Sequence, residues 1–133
     1  MLGHIQLPKI ESDKKTPSSL SKKIINGILR KELGFQGLCI TDELNMKGIT
    51  KNFTLQNASL KGIQSGADLI LFNQASKNTF KVYKDILGKI QRDKNLQARI
   101  EESYKRILQT KNKLFTKVKA VEAGLKPATK EEK

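Results

Sequence analysis

The sequence predicts an α/β fold in which short strands of a parallel sheet alternate with helices. Short apolar runs alternate with longer segments whose apolar residues recur at helical spacing, and glycines follow several of those longer segments. Strands that alternate with helices build βαβ units, whose connections are right-handed. The predicted elements, in chain order, are strand 2–7, helix 22–33, strand 37–41, helix 55–65, strand 67–72, helix 77–91 and helix 96–116.

The first strand and the first helix have clear boundary signals. Residues 2–7 are apolar and end at Pro8, as a strand does where it passes into a loop, and the polar residues 9–20 form that loop. Ser21 is a suitable N-cap for the helix, because its hydroxyl can accept a hydrogen bond from an N–H of the first turn. Gly34 stands where a glycine usually ends a helix.

The second strand is a short buried-strand candidate. Residues 37–41 read Gly-Leu-Cys-Ile-Thr and end at Asp42. The residues that follow, 43–54, are expected to form a loop with a helical turn around 44–47.

The remaining elements follow the same pattern. Thr54 and Gly66 bound the second helix, and the apolar residues 67–72 form the third strand candidate. The last two helices each carry an apolar face. These faces consist of Phe80, Tyr83, Ile86, Leu87 and Ile90 in the first, and Leu96, Ile100, Tyr104, Ile107, Leu108 and Phe115 in the second.

The charge of the chain is strongly positive. Its 26 basic and 13 acidic residues give a formal charge of +13, and the excess is concentrated in residues 77–133. Nucleic-acid binders use such charge to neutralise phosphates. Here the lysines are scattered and arginines are few, which favours solvated helix faces. We therefore expect no nucleic-acid partner.

Several classes of site and location are excluded by composition. Cys39 and His4 are the only residues of their types, so neither a disulfide nor a zinc site of Cys and His ligands is expected. The turns contain no glycine-rich phosphate loop, and no cofactor or metal is predicted. No apolar run approaches the ~20 residues that span a bilayer. No signal peptide is evident, so we expect a cytoplasmic chain without membrane contact.

Asp42 is the main candidate functional residue because it follows the second predicted strand. In parallel βα folds, functional groups lie at the carboxyl ends of strands. A carboxylate there can serve as a nucleophile, a general base or a metal ligand. It can equally cap the next helical turn, which would be a structural role.

The residues around Asp42 form a long and specific pattern. Residues 28–46 read I-L-R-K-E-L-G-F-Q-G-L-C-I-T-D-E-L-N-M. This pattern strongly resembles the signature of glycoside hydrolase family 3. Residues 3–5 and 17–21 resemble its bacterial β-N-acetylhexosaminidase branch. Residues 65–70 are similar to the family's A-G-A-D segment, and residues 100–108 to the helix that closes the domain.

The resemblance covers roughly residues 2–116 and implies a TIM (β/α)₈ barrel. A complete barrel needs about 250 residues. The chain would therefore be the C-terminal part of the catalytic barrel domain, truncated at its start. It would hold about the last three βα units plus a closing C-terminal helix. Residues 1–118 would form this partial domain, and residues 119–133 a lysine-rich, disordered tail.

The resemblance also assigns a chemical role to Asp42. It would be the catalytic nucleophile that attacks the anomeric carbon of a β-linked amino sugar or glucoside and forms a glycosyl-enzyme intermediate. An unperturbed aspartate, with a pKa of about 3.9, is ionised near neutrality and suits this role. Retaining chemistry also needs a second group about 5 Å away that acts first as an acid and then as a base.

The acid/base group of the family is not expected in this chain. In the hexosaminidase branch it is a histidine paired with an aspartate in a K-H-F-P-G-H-G-D-T-like segment, which the sequence lacks. The sole histidine, His4, could line the sugar pocket, or it could be a buried histidine with satisfied hydrogen bonds. Glu43, beside Asp42, is expected to be solvated.

Three hypotheses of function follow. In the first, the chain is a glycosidase fragment that is inactive alone. In the second, it is half of a split glycosidase that a complementary barrel chain completes. In the third, which belongs to another class, its lysine-rich C-terminal helices bind nucleic acid.

Overall fold

The computed structural model describes residues 1–122 of the chain, and their side chains except those of residues 117 and 119–122. The predicted tail overlaps the last residues of the final helix, and its other residues lie outside the described part, so its disorder stays a prediction. In chain order the elements are a 3₁₀ turn, Ser18–Leu20, a π-helix, Lys23–Glu32, and four α-helices: α1 (Lys47–Thr50), α2 (Leu55–Ser65), α3 (Lys77–Ile90) and α4 (Lys94–Glu122).

The first helix lies where it is predicted but is wider than an α-helix. The Leu33 N–H donates to the Ile28 carbonyl at 2.9 Å, an i→i−5 bond that defines the π form. Ser21 fulfils its predicted role, since its hydroxyl accepts from the Ile24 N–H at 3.3 Å. Gly34 follows the helix with a φ of 64°, a left-handed conformation that glycine adopts without strain. Most π-helices are single turns, so the ten residues here are unusual.

The prediction of a partial TIM barrel with βα units is wrong. None of the three predicted strands forms within residues 1–122. Within the described residues, the β pairing between these segments is limited to two isolated parallel bridges, Leu2 with Thr41 and Ile40 with Leu69. The described architecture is therefore helical, with three extended segments that touch side by side.

Side-chain hydrogen bonds explain why the pairing does not extend into a sheet. A ladder needs successive backbone N–H groups to donate to the neighbouring backbone. The Cys39 N–H donates instead to the Asp68 carboxylate at 3.0 Å. The Leu71 N–H likewise donates to the Thr41 hydroxyl at 3.1 Å. The apolar runs that predicted strands contain no signal for this competition.

The hydrophobic core lies between the 3₁₀ turn, α1 and α2. It consists of fully buried residues from these elements and from the segment after Asp42, with four half-buried hydrophobic residues packed against them. The buried members are Leu20, Leu44, Ile49 and Ala58, and the flanking ones are Phe53, Leu55, Ile70 and Phe72. This core fixes the segment that carries Asp42.

The second helix agrees closely with its boundary signals. The Thr54 hydroxyl accepts from the Asn57 N–H at 3.3 Å, and Gly66 ends α2 with a φ of 122°. The predicted turn around 44–47 is displaced toward the C-terminus, because the short helix α1 begins only at Lys47.

The last two helices agree in position, but their predicted apolar faces are buried only in part. In α3, Val82 is buried, whereas Phe80 and Tyr83 are 64% and 61% exposed. In α4, Leu96 is buried and Tyr104 is exposed. The described helices include none that is long and apolar enough to cross a membrane.

Candidate active site

The segment of Asp42 is held by backbone hydrogen bonds to both neighbouring segments. The Asp42 N–H donates to the Leu2 carbonyl at 2.9 Å, and the Leu44 N–H donates to the Leu71 carbonyl at 3.2 Å. The Asp42 Oδ1 atom accepts from the Glu43 N–H at 2.8 Å. Within residues 1–122 this is the only hydrogen bond of the carboxylate, and Asp42 is half-buried. Its second oxygen, Oδ2, has no hydrogen-bond partner among these residues.

His4 lies against the same loop, and both of its ring nitrogens are hydrogen-bonded. Nε2 contacts the Glu43 carbonyl oxygen at 2.8 Å, and Nδ1 contacts the Ser19 hydroxyl at 2.7 Å. A carbonyl can only accept, so Nε2 carries a proton. In the neutral ring, Ser19 then donates to Nδ1. These bonds support the structural interpretation of His4, and its predicted contact with a sugar stays a prediction.

Glu43 is not solvated as predicted. It is half-buried, and its Oε1 atom is buried without a hydrogen-bond partner in the described part of the chain. A buried acceptor without a partner is costly. The Glu43 backbone carbonyl also accepts from His4 Nε2, so both the backbone and the side chain of this residue lie within the fold.

Asp68 anchors the segment that leads to Asp42. Its side chain is fully buried, and it accepts hydrogen bonds from one backbone N–H and four side chains. The donors are the Cys39 N–H at 3.0 Å, Ser103 at 2.9 Å, and three guanidinium groups: Arg30 at 2.7 Å, Arg99 at 3.1 Å and Arg106 at 3.0 Å. Burial alone would raise the pKa of Asp68, but the hydrogen bonds from Cys39, Ser103, Arg99 and Arg106 hold that pKa below its usual value.

Sequence reasoning missed the residues that surround the predicted ones. Ser19, the partner of His4, lies in a segment singled out only for its resemblance. Asp68 was noted for the same reason, but its arginines lie 31 to 38 residues away along the chain. No local pattern in the sequence signals such long-range contacts.

The larger cavities lie away from Asp42. Clefts of about 740 and 610 Å³ lie elsewhere on the surface, and neither is lined by Asp42 or His4.

Comparison with known proteins places the chain in a family. The sequence model described as the glycosyl hydrolase family 3 N terminal domain matches residues 1–110. The chain belongs to glycosyl hydrolase family 3. Because the matched domain is the N-terminal one of family 3, the match does not support the expectation of a C-terminal part of a catalytic barrel.

Relatives of this family 3 chain are hexosaminidases and glucosaminidases. Beta-hexosaminidase A of Pseudoalteromonas piscicida is 30% identical over 129 residues, which cover 86% of this chain and 22% of that protein. A beta-N-acetylglucosaminidase/beta-glucosidase of Cellulomonas fimi is 29% identical over 122 residues, covering 86% and 21%. The chain therefore spans about a fifth of the length of these relatives.

A solved family 3 structure shares the fold of the described residues. It is the beta-N-acetylglucosaminidase from Paenibacillus sp. str. FPU-7, with a TM-score of 0.71 and 30% identity. The match covers 79% of this chain and 20% of that one.

Proposed function

We propose that Asp42 is the nucleophile of a retaining glycosidase that acts on β-linked N-acetylglucosaminides. The observation that carries this proposal is the arrangement of its carboxylate. Backbone hydrogen bonds hold the loop around Asp42, Oδ1 accepts from the Glu43 N–H, and Oδ2 has no hydrogen-bond partner among residues 1–122. Positioning of this kind lowers the entropic cost of attack.

The reaction would proceed in two displacements. Oδ2 of Asp42 forms a bond to the anomeric carbon as the glycosidic bond breaks, and a proton donor protonates the leaving oxygen. Water then attacks the same carbon while a base takes its proton, which releases Asp42. Both steps need a second group besides the nucleophile.

This second group would come from outside residues 1–133. The sequence lacks the histidine segment that the family resemblance associates with acid/base catalysis. His4 is a poor substitute, because both ring nitrogens are engaged, with Ser19 and with the Glu43 carbonyl. A general acid must have a proton to give within reach of the leaving group. We propose that residues 1–118 supply the nucleophile and that other residues, in the same protein or in a complementary chain, supply the acid/base.

Steady-state hydrolysis tests this division of roles. The purified chain is mixed with an aryl N-acetyl-β-glucosaminide, and the released phenol is followed with and without azide. Azide is already an anion, so it can attack the glycosyl-enzyme without help from a general base. We expect no sustained release in buffer and renewed release with azide, which is lost in Asp42→Asn.

Two outcomes would overturn the proposal. Sustained hydrolysis without azide that disappears in Asp42→Asn would show that the chain already contains its acid/base group. Azide-dependent release that persists in Asp42→Asn would show that another residue is the nucleophile. Asp85→Asn, an exposed aspartate on α3, is the matched control and should behave as the unmodified chain.

A further inference from the structure

A basic cleft of about 740 Å³ lies on the helical face of the molecule, between the π-helix, α2 and α4. Its volume is in the range of small-molecule sites. Two acidic side chains, Asp93 and Glu102, line it together with six basic ones: Lys22, Arg30, Lys31, Lys61, Arg99 and Arg106. The cleft contains neither Asp42 nor His4, so it is separate from the candidate active site.

The base of the cleft carries more guanidinium groups than carboxylates. Arg30, Arg99 and Arg106 converge on the single carboxylate of Asp68, and their side chains are only 9%, 11% and 22% exposed. Glu102 adds a weak second partner at 3.6 Å from two of the arginines, and it is 59% exposed. Buried charges in proteins are normally neutralised. Here three guanidinium groups share one buried carboxylate and one exposed carboxylate, so at least one positive charge is left without a counter-charge.

The acidic residues at the rim do not correct this imbalance. Asp93 is occupied at the start of α4, where its Oδ1 atom accepts from the Asn95 and Leu96 N–H groups. Counting the lining side chains together with the buried Asp68, the cleft keeps a charge of +3. A single carboxylate would leave most of that charge, whereas a phosphate group carries about −1.5 to −2 at pH 7.

The donors of the cleft also remain partly unused. Within the described residues, Arg106 makes one hydrogen bond to Asp68 and one longer ion pair with Glu102. Arg30 also donates to backbone carbonyls, and Arg99 to a backbone carbonyl and to Ser103, so Arg106 is the arginine that keeps donors for a ligand. The planar fork of arginine suits the bidentate recognition of phosphate oxygens. Lys22 and Lys31, both exposed, extend the positive surface outward.

We propose that this cleft binds a small phosphate-bearing anion. The site is built from side chains and needs no glycine-rich loop. Arg106 contacts the phosphate oxygens directly, the buried Arg30 and Arg99 set the potential from below, and the rim lysines attract the ligand. The phosphate can be inorganic or carried on a small metabolite, since both present the same charged oxygens.

Calorimetric titration of the whole chain tests the proposal, with inorganic diphosphate, glucose 6-phosphate and glucose as separate ligands. At an ionic strength of about 0.15 M we expect saturable binding of at least one phosphate compound and none of glucose. The tighter phosphate compound identifies the source. The double variant Lys22→Gln, Lys31→Gln should weaken that binding about tenfold.

A control variant that loses the same number of charges distinguishes a specific anion site from non-specific attraction to the basic surface. Lys47→Gln, Lys51→Gln removes one exposed lysine at the start of α1 and one just after its end, both outside the cleft, and should leave the affinity unchanged. Equal weakening in both double variants, or no saturable binding at that ionic strength, would overturn the proposal. Tighter binding of a glutamate-rich peptide than of either phosphate compound would also overturn it, because it would indicate a protein partner. Circular dichroism of each variant confirms that its helices are retained.

Discussion

At the scale of single residues, the segment before Asp42 carries a thiol that solvent does not reach. Cys39 is 2% exposed, and burial raises the pKa of its thiol, since the charged thiolate is disfavoured away from water. Its N–H is fixed by Asp68. The reactive thiolate form is therefore suppressed in the folded chain.

We predict that Cys39 reacts slowly with a thiol reagent in the native chain and quickly in denaturant. The measurement is the absorbance of the released aromatic thiol at pH 8 with and without guanidinium chloride. Native reactivity as fast as that of the unfolded chain would show that the Cys39 segment opens readily, contrary to the packing described above.

Local chemistry made some residues predictable and others not. Ser21 and Thr54 were predicted as helix caps because a cap is recognised by the residues beside it, and both accept the expected N–H bond. The environment of His4 was not predictable, because Ser19 and Glu43 reach it from distant parts of the chain. The same holds for the buried oxygen of Glu43.

At the scale of elements, the end of α2 depends on a glycine. Gly66 has a φ of 122°, and a Cβ atom there would lie 2.7 Å from the Asn26 Oδ1 atom and 2.8 Å from the Ile25 Cγ2 atom. No other residue type fits this position without moving the π-helix. The contact links α2 directly to the π-helix.

We predict that Gly66→Ala and Gly88→Ala change stability in opposite directions. Gly66→Ala combines backbone strain with a steric clash and should lower the free energy of unfolding by about 1–3 kcal/mol. Gly88 lies inside α3 with nothing within 4 Å of its Cβ position, so Gly88→Ala should raise that free energy by about 0.4–1 kcal/mol. Urea unfolding followed by circular dichroism measures both. If Gly66→Ala left the free energy of unfolding unchanged, the close contact at Gly66 would be contradicted.

The element boundaries illustrate what a sequence can and cannot predict. Helices α2 and α3 were predicted to within a residue at each end, because capping and periodicity are local signals. The strands were not, because the Asp68 carboxylate and the Thr41 hydroxyl take N–H groups that a ladder needs. Such competition depends on tertiary contacts.

At the scale of the whole molecule, Asp68 joins three parts of the chain. Through Arg30 it holds the π-helix, through Cys39 the segment before Asp42, and through Arg99 and Arg106 helix α4. Three of the four arginines of the chain thus serve one carboxylate. The general excess of lysine gave no indication of this arrangement.

We predict that Asp68→Asn strongly destabilises the chain at neutral pH. Loss of the carboxylate leaves buried guanidinium groups without a counter-charge, which typically costs about 3–5 kcal/mol. The pKa of Asp68 is lowered on folding, so its charge stabilises the fold above the pKa of an unfolded aspartate, about 3.9. That contribution disappears as the pH falls through the lower pKa of the folded state.

Unfolding by urea at a series of pH values checks both parts of this prediction. The free energy of unfolding of the unmodified chain should exceed that of Asp68→Asn by a large margin at pH 7, and this margin should shrink below about pH 4. Asp85→Asn is the control and should show little difference at any pH. If the free energies of unfolding of Asp68→Asn and the unmodified chain differed by the same amount at every pH, the role of the charge would be contradicted.

Covalent trapping tests whether Asp42 is the nucleophile. A fluorinated N-acetylglucosaminyl fluoride has a leaving group that needs no general acid, so it can label the nucleophile even where the acid/base group is absent. The measurement is the mass of the intact chain after incubation, followed by peptide mapping. We predict one sugar adduct on Asp42, absent in Asp42→Asn and retained in Asp85→Asn. An adduct on another residue, or none, would contradict the claim.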